Sequence, residues 1–213
     1  KLLKKIKKDK KKFIIRTGLC SYDSKSINAD NDTYVISLEK FNRIIKIDNK
    51  KQFVTAQAGM MIADIVNKLK NNNFTLFSVP GGEHISVGGA ISANVIGKDS
   101  SKKIPSFGEA VEQIEILNEK GNIKLLKKNS KEFNKYIGAF GLSGIIIHAK
   151  LKIKKIKSKN IKLTSKILNG LDGIKKEAEK KSDYKYIQID PFFRKENFSI
   201  VFDGNFSKIK KNL

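Results

Sequence analysis

A chain of 213 residues and 24.0 kDa, 39% hydrophobic, can bury a substantial core and hold one large domain with part of another. It has no apolar run near the roughly eighteen residues of a membrane span, the opening KLLKKIKKDKKK lacks a signal-peptide core, and Cys20 with two histidines excludes an internal disulfide and the usual zinc clusters. The formal charge of +23 invites nucleic acid or an anionic membrane surface, but among 44 basic residues only Arg16, Arg43 and Arg194 are arginines. Base readout favours arginine forks, so no specific nucleic-acid partner is expected.

In chain order, the N-terminal lysine cluster reads as a solvated arm. Residues 13–17 form a β-like run ending in the polar turn GLCSYDSKSINADND, and 34–38, 43–48 and 53–58 read as three further β segments. From 61 to 73 the apolar Ile62, Ile65, Val66 and Leu69 fall at helical spacing, and Asn71, Asn72 and Asn73 stop the helix. A strand over 74–79 then feeds a glycine-rich stretch. Residues 111–117 and 123–126 read as a hairpin. Ser130 is a candidate N-cap for a helix reaching Ala139. Strict alternation over 149–154 describes a half-buried strand whose lysines face water. Beyond Lys157 the pattern restarts with a strand near Ile161, a helix over 167–181, and strands at 184–189 and 198–202. Two units are expected, 1–156 and 157–213, the second with too few elements to close a core alone. Because the chain starts at Lys1 and has methionine only at Met60 and Met61, it reads as a piece of a longer protein. A cytoplasmic setting fits the single cysteine, and peripheral attraction to a membrane surface stays open.

The stretch VPGGEHISVGGAISANVIGKDSSKKIPSFG places six glycines in 30 residues. A P-loop needs G-x-x-x-x-G-K-[ST], but Ser92 takes the first glycine position before Gly97–Lys98, and Asp99 follows. A G-x-G-x-x-G dinucleotide fingerprint is also missing. Gly81, Gly82, Gly88 and Gly89 instead leave backbone N–H groups open to an anion or a flat ring, with a helix start at VGGAIS adding its dipole. A purely structural tight turn is the other reading.

At VPGGEHISVGGAISANVIGKDSS, followed by SFGEAVEQIEILNEKG, the sequence resembles the FAD-binding domain of the vanillyl-alcohol-oxidase (PCMH-type) flavoproteins, nearest to the decaprenylphosphoryl-ribose 2-oxidase type of sugar oxidoreductase. The corresponding pattern is P-G-T, a spacer, T-V-G-G-A-I, a His-Gly-Lys-Asn stretch and Gly-Ser-Phe-Gly, and GAFGLSGII resembles a later G-G-x-G-L-T-G-I-I. The likeness runs from about Phe13 to Ile156 and weakly onward, where DYKYIQIDPFF resembles a substrate-domain strand. It implies an α+β fold: a PCMH-type domain of two α/β subdomains, then part of a substrate (cap) domain with an antiparallel sheet.

The resemblance implies that Gly81, Ser86, Val87, Gly88 and Gly89 contact FAD, that Ala93, Asn94, Val95 and Ile96 continue along the flavin, and that Ile145 reaches the adenine side. Arg16, Thr17, Gly18, Leu19, Cys20, Ser21 and Tyr22 match a loop of form R-G-x-G-R-S-Y-G-D that cradles the pyrophosphate. Tyr22 either lines the substrate side or packs within its loop. Thr17, Leu19, Asp23 and Ser24 stand where the family has Gly, Gly, Gly and Asp; Cys20 replaces a basic residue, and Ile96 replaces a histidine. No histidine is left in that motif for a covalent bond, so FAD is expected to be non-covalent. His84 and His148 have no cysteine or carboxylate partner at a ligand spacing, and no catalytic role is expected of either.

The implied activity is oxidation of a secondary alcohol of a sugar or sugar-like substrate, small or lipid-linked, by hydride transfer to flavin N5. The electron acceptor is not legible, and no catalytic base is assigned, because in the family the groups nearest the substrate come largely from the second domain. The alternatives are a degenerate flavin domain with a binding role and no turnover, and a basic surface binder whose mark would be steep salt dependence.

Overall fold

The computed structural model describes residues 2–21, 32–82, 84–100, 104–189 and 198–207. In chain order these form α1 (Leu2–Lys8), β1 (Lys12–Arg16), β2 (Thr33–Ser37), β3 (Ile44–Asp48), β4 (Phe53–Gln57), α2 (Ile62–Lys70), β5 (Phe74–Leu76) and α3 (Val87–Ser92). There follow β6 (Val111–Leu117), β7 (Ile123–Lys127), β8 (Ile145–Lys155), β9 (Ile161–Asn169), α4 (Gly170–Ala178), β10 (Tyr184–Ile189) and β11 (Phe198–Phe206). Among the described residues no helix is long and apolar enough to cross a membrane.

The β-branched run FII in β1 pairs in parallel with TYVIS in β2, Phe13 opposite Tyr34 and Ile15 opposite Ile36. A six-stranded sheet carries the main core in the order β3-β4-β8-β6-β7, with β5 joined to the far half of β8. β8 is its hub. The alternation of its sequence puts Ala149, Leu151 and Ile153 inside and leaves Lys150, Lys152 and Lys154 outside. On the buried side, α2 lays down Ile62, Ile65 and Leu69, and α3 lays down Val87, Ala90 and Ile91. Phe107 and Phe133 fill the gaps between these helices and strands, and each such buried side chain contributes about 1.5–3 kcal/mol.

The last three strands form a separate antiparallel sheet, β10-β11-β9, with α4 packed on one face. β8 ends at Lys155 and β9 begins at Ile161.

Three expectations are corrected. The N-terminal lysine run is not a solvated arm: α1 seats Ile6 in the core and packs Leu3 against it, while Lys5 and Lys8 stay in water. The helix expected over 130–139 is only a short 3-10 turn at Phe133–Lys135. Gly138, at φ 71°, breaks it, and the N–H groups of Gly138 and Phe140 donate to Ile91 and Ser92 of α3 instead of to their own chain turn. The helix expected over 167–181 starts only at Gly170, because β9 keeps its ladder with β11 as far as Asn169.

Candidate cofactor site

The chain leaves β1 at Arg16 and crosses the start of α3. Ser86 caps that helix: its Oγ accepts from the Gly89 N–H at 3.3 Å and donates to Thr17 Oγ1 at 2.6 Å. The Cys20 thiol donates to the carbonyls of His84 (3.0 Å) and Gly18 (3.2 Å), stitching residues 17–20 to 84–86. Gly88 lets the helix start lie directly on β4's end, its N–H donating to the Ala58 carbonyl at 2.7 Å; a Cβ there would sit 3.0 Å from Ala58 Cβ.

A second wall comes from the turn at Pro80–Gly82, which is bridged to Gly97. A third comes from Phe140, Gly141, Gly144 and Ile146 at the entry to β8. The last is supplied by β10: the Lys185 N–H donates to the Lys98 carbonyl at 2.7 Å, and Lys98 Nζ lies 5.0 Å over the Tyr186 ring. Together they enclose a cavity of about 1130 Å³.

On its walls lie Thr17, Gly18, Leu19, Cys20 and Ser21, Gly81, then Ser86, Gly88 and Gly89, and finally Ala93, Asn94, Val95 and Ile96. Three other expected residues stand off it. Arg16 reaches outward to Glu39 (3.4 Å), and Val87 and Ile145 are buried in the core, one residue from wall positions Gly88 and Ile146. Tyr22 lies outside the described residues. Lys98, Phe140, Lys185 and Tyr186 were not singled out from the sequence. GAFGLSG pointed to the neighbourhood of Phe140, but nothing local marks a strand ninety residues downstream as a wall.

The cavity's chemistry suits a long anion carrying flat rings. No carboxylate lines it among the described residues, while Lys98 and Lys185 do. Lys185 Nζ is engaged with Asp203 at 3.2 Å, whereas among the described residues Lys98 Nζ has only the Tyr186 ring. The N–H groups of Gly18, Leu19 and Cys20 donate to no described residue, which leaves a run of backbone donors at the loop. Leu19 holds φ 55°, the left-handed conformation that a glycine would adopt freely.

Apart from the cavity, His148 on β8 sits directly opposite Glu115 on β6, and its Nδ1 contacts the Glu115 carboxylate. Strand register supplies the carboxylate that sequence spacing did not show.

A protein-family model described as FAD binding domain matches residues 1–127. The chain belongs to the FAD binding domain family. FAD is its cofactor. Among curated relatives of this FAD binding domain, decaprenylphosphoryl-beta-D-ribose oxidase of Mycolicibacterium smegmatis is 30% identical over 122 residues, 56% of this chain and 26% of that protein. L-galactono-1,4-lactone dehydrogenase 2 of Oryza sativa subsp. japonica is 24% identical over 156 residues, 72% of this chain and 26% of that protein. L-gulonolactone oxidase of Bos taurus is 22% identical over 183 residues, 84% and 40%. The chain thus spans about a quarter of the first two relatives. A solved alkyldihydroxyacetonephosphate synthase superposes with a TM-score of 0.76 at 15% identity, covering 96% of this chain and 45% of that one, a likeness of fold.

Proposed function

We propose that this chain is the FAD-holding part of an oxidoreductase that oxidises a secondary alcohol of a sugar or sugar-like substrate, small or lipid-linked. The observation that carries the reading is the cavity of about 1130 Å³ built from the 17–21 loop, the Pro80–Gly82 turn and the start of α3, lined by no carboxylate among the described residues. Residues 1–156 hold the cofactor, and 157–213 contribute the first part of the substrate side. The N–H groups at 18–20, which donate to no described residue, take the pyrophosphate, and the apolar Val95, Ile96 and Phe140 border the ring system. Bound FAD supplies the two-electron acceptor at flavin N5. The chain's own part is to hold that ring, to keep water from one side of it with Tyr186 and Ile187, and to present the other end to substrate. The flavin is held without a covalent bond. Its sugar-type substrate is argued from relatives named as a decaprenylphosphoryl-ribose oxidase and as lactone dehydrogenases and oxidases.

A second reading keeps the cofactor and drops turnover. Ile96, 72% exposed on the cavity wall, stands where sugar oxidases of this type have a histidine. One experiment separates the two. Visible spectra are taken of the protein as isolated, after incubation with FAD and desalting, and after addition of sugars and aldonolactones under anaerobic conditions. Retained, heat-releasable flavin that bleaches with a sugar supports the oxidoreductase. Retained flavin that no sugar bleaches favours the second reading, and no retained flavin overturns both.

A further inference from the structure

Asp99 follows Lys98 at the end of the glycine-rich stretch, and its side chain is fully buried (0% exposed). Both carboxylate oxygens accept from one backbone donor, the Val79 N–H, at 3.0 and 3.1 Å. Lys154 Nζ of β8 approaches Oδ2 at 3.5 Å. Among the described residues Tyr184 of β10 is a further titratable neighbour, and its own burial, then the charge of Asp99 and of Asp183, pushes its phenol up to about 12, so it stays neutral beside the carboxylate. Burial pushes the Asp99 carboxyl itself above the ordinary carboxylate value, against the pull of the Val79 N–H and Lys154.

The position of this carboxylate matters more than its charge. Val79 leads into the Pro80–Gly82 turn, and Asp99 ends the segment that begins at Gly97; both pieces are cavity wall and are bridged between Pro80 and Gly97. The same segment hands its Lys98 carbonyl to Lys185 of β10 and its Lys98 ammonium to the Tyr186 ring. One buried group therefore fixes two wall segments against each other and, through Lys98, against the strand that closes the cavity. It touches none of the cavity itself, and its place outside the lining separates it from the residues assigned to the cofactor.

We propose that Asp99 is a positioning residue of the cofactor site, clamping the Val79–Gly82 turn to the Gly97–Lys98 segment so that both meet FAD in one fixed geometry. This rests on the cavity being the FAD site. A buried hydrogen bond to a charged acceptor is strong, and losing it leaves the Val79 N–H unmatched and takes from Lys154 its carboxylate partner, leaving that ammonium the Phe77 ring at 5.7 Å.

The test compares wild type, Asp99→Asn, Asp99→Ala and Ile153→Val as apo proteins titrated with FAD. Flavin fluorescence gives Kd, visible circular dichroism reports the bound ring's surroundings, and thermal melts of the apo forms report stability. Ile153 is a buried β8 residue beside Lys154 and off the cavity, so it serves as a destabilised control. Asp99→Ala is expected to weaken FAD binding about ten-fold or more and to change the dichroism of the bound flavin; Asp99→Asn, whose amide oxygen can still accept from the Val79 N–H, should lose less, while Ile153→Val lowers the melting temperature with Kd within about two-fold of wild type. Where Asp99→Ala does not fold, Asp99→Leu, which fills the site without an acceptor, decides in its place. Wild-type Kd and dichroism in the acceptor-free variant, or equal Kd losses in Ile153→Val, would overturn the inference alone. Failure of the wild type to bind FAD would overturn the cavity assignment and this inference with it.

Discussion

Ser86 Oγ donates to Thr17 Oγ1 at 2.6 Å, joining two stretches 69 residues apart at the point where both enter the cavity wall. The same oxygen caps α3 through the Gly89 N–H. Ser86→Ala removes both contacts, and loss of an N-cap serine costs about 1–2 kcal/mol. The expected result is a lower urea midpoint with an unchanged slope, together with weaker FAD binding. Thr17→Ala, which spares the cap, should lose less stability but a similar share of FAD affinity. Equal stability losses in the two variants would show that the cap is worth nothing here.

Leu19 gives a prediction of opposite sign. It holds φ 55° and is 52% exposed, so it carries left-handed strain with little burial to offset it. For a residue with a Cβ that conformation costs about 1–2 kcal/mol. Leu19→Gly relieves it, and the extra entropy of the unfolded glycine takes back roughly 0.5–1 kcal/mol. A net gain of up to about 1 kcal/mol is expected, with tighter FAD binding as the loop reaches its conformation without strain. A fall in the urea midpoint for Leu19→Gly would mean that its side chain holds the loop through contacts worth more than the strain.

Why these residues could be found, and others not, follows from the range of the interactions. Alternation in β6 and β8 and the Ile62, Ile65, Leu69 spacing of α2 are local periodicities, and the elements stand where they occur. Glycines at 81, 88 and 89 marked a wall because the backbone requirement is written into the residue type. The Glu115–His148 pair, by contrast, exists only through strand register, and Lys185 and Tyr186 reach the cavity only because β10 docks on the Lys98 carbonyl. The 130–139 segment misled because Ser130 does make its capping bond, accepting from the Phe133 N–H at 3.3 Å, while the following donors are claimed by α3. Tertiary competition for backbone donors has no signature in a single sequence.

Asn94 and Gly108 form a second joint. Asn94 holds φ 45°, which its short amide tolerates, and its Oδ1 accepts from the Gly108 N–H at 2.9 Å. A Cβ at Gly108 would run into Ile137 and the Asn94 amide. Gly108→Ala is therefore an overpacking change costing about 1–3 kcal/mol, and it should push Asn94 away from the cavity wall and weaken FAD binding. Gly121→Ala makes the contrast: at φ 81° it is strained by backbone conformation, but nothing lies within 4 Å of its Cβ and it does not line the cavity. It should lose stability and keep FAD affinity. Unchanged FAD binding in Gly108→Ala would remove the joint from the site's architecture.

The second sheet supplies a pH dependence. Glu177 of α4 is nearly buried between Lys166 of β9 and Lys180, and hydrogen bonds from Lys166, then Lys180, bring its carboxyl down from the ordinary 4.5 to about 2. The Glu177 carboxylate organises Lys166 and Lys180, which would otherwise repel one another, while Lys185 is held separately by the Glu177 backbone carbonyl and by Asp203 of β11. Because the folded value is the lower one, the unfolded chain binds the extra proton. The contribution is therefore complete above about 4.5 and is lost as pH falls toward 2. Acid titration followed by chemical denaturation should show wild-type stability dropping through that window, and Glu177→Gln should be less stable at neutral pH with a flatter acid limb. A Glu177→Gln curve parallel to wild type between those values would mean that the carboxylate titrates alike in both states and that the lysine pairing adds nothing to the sheet.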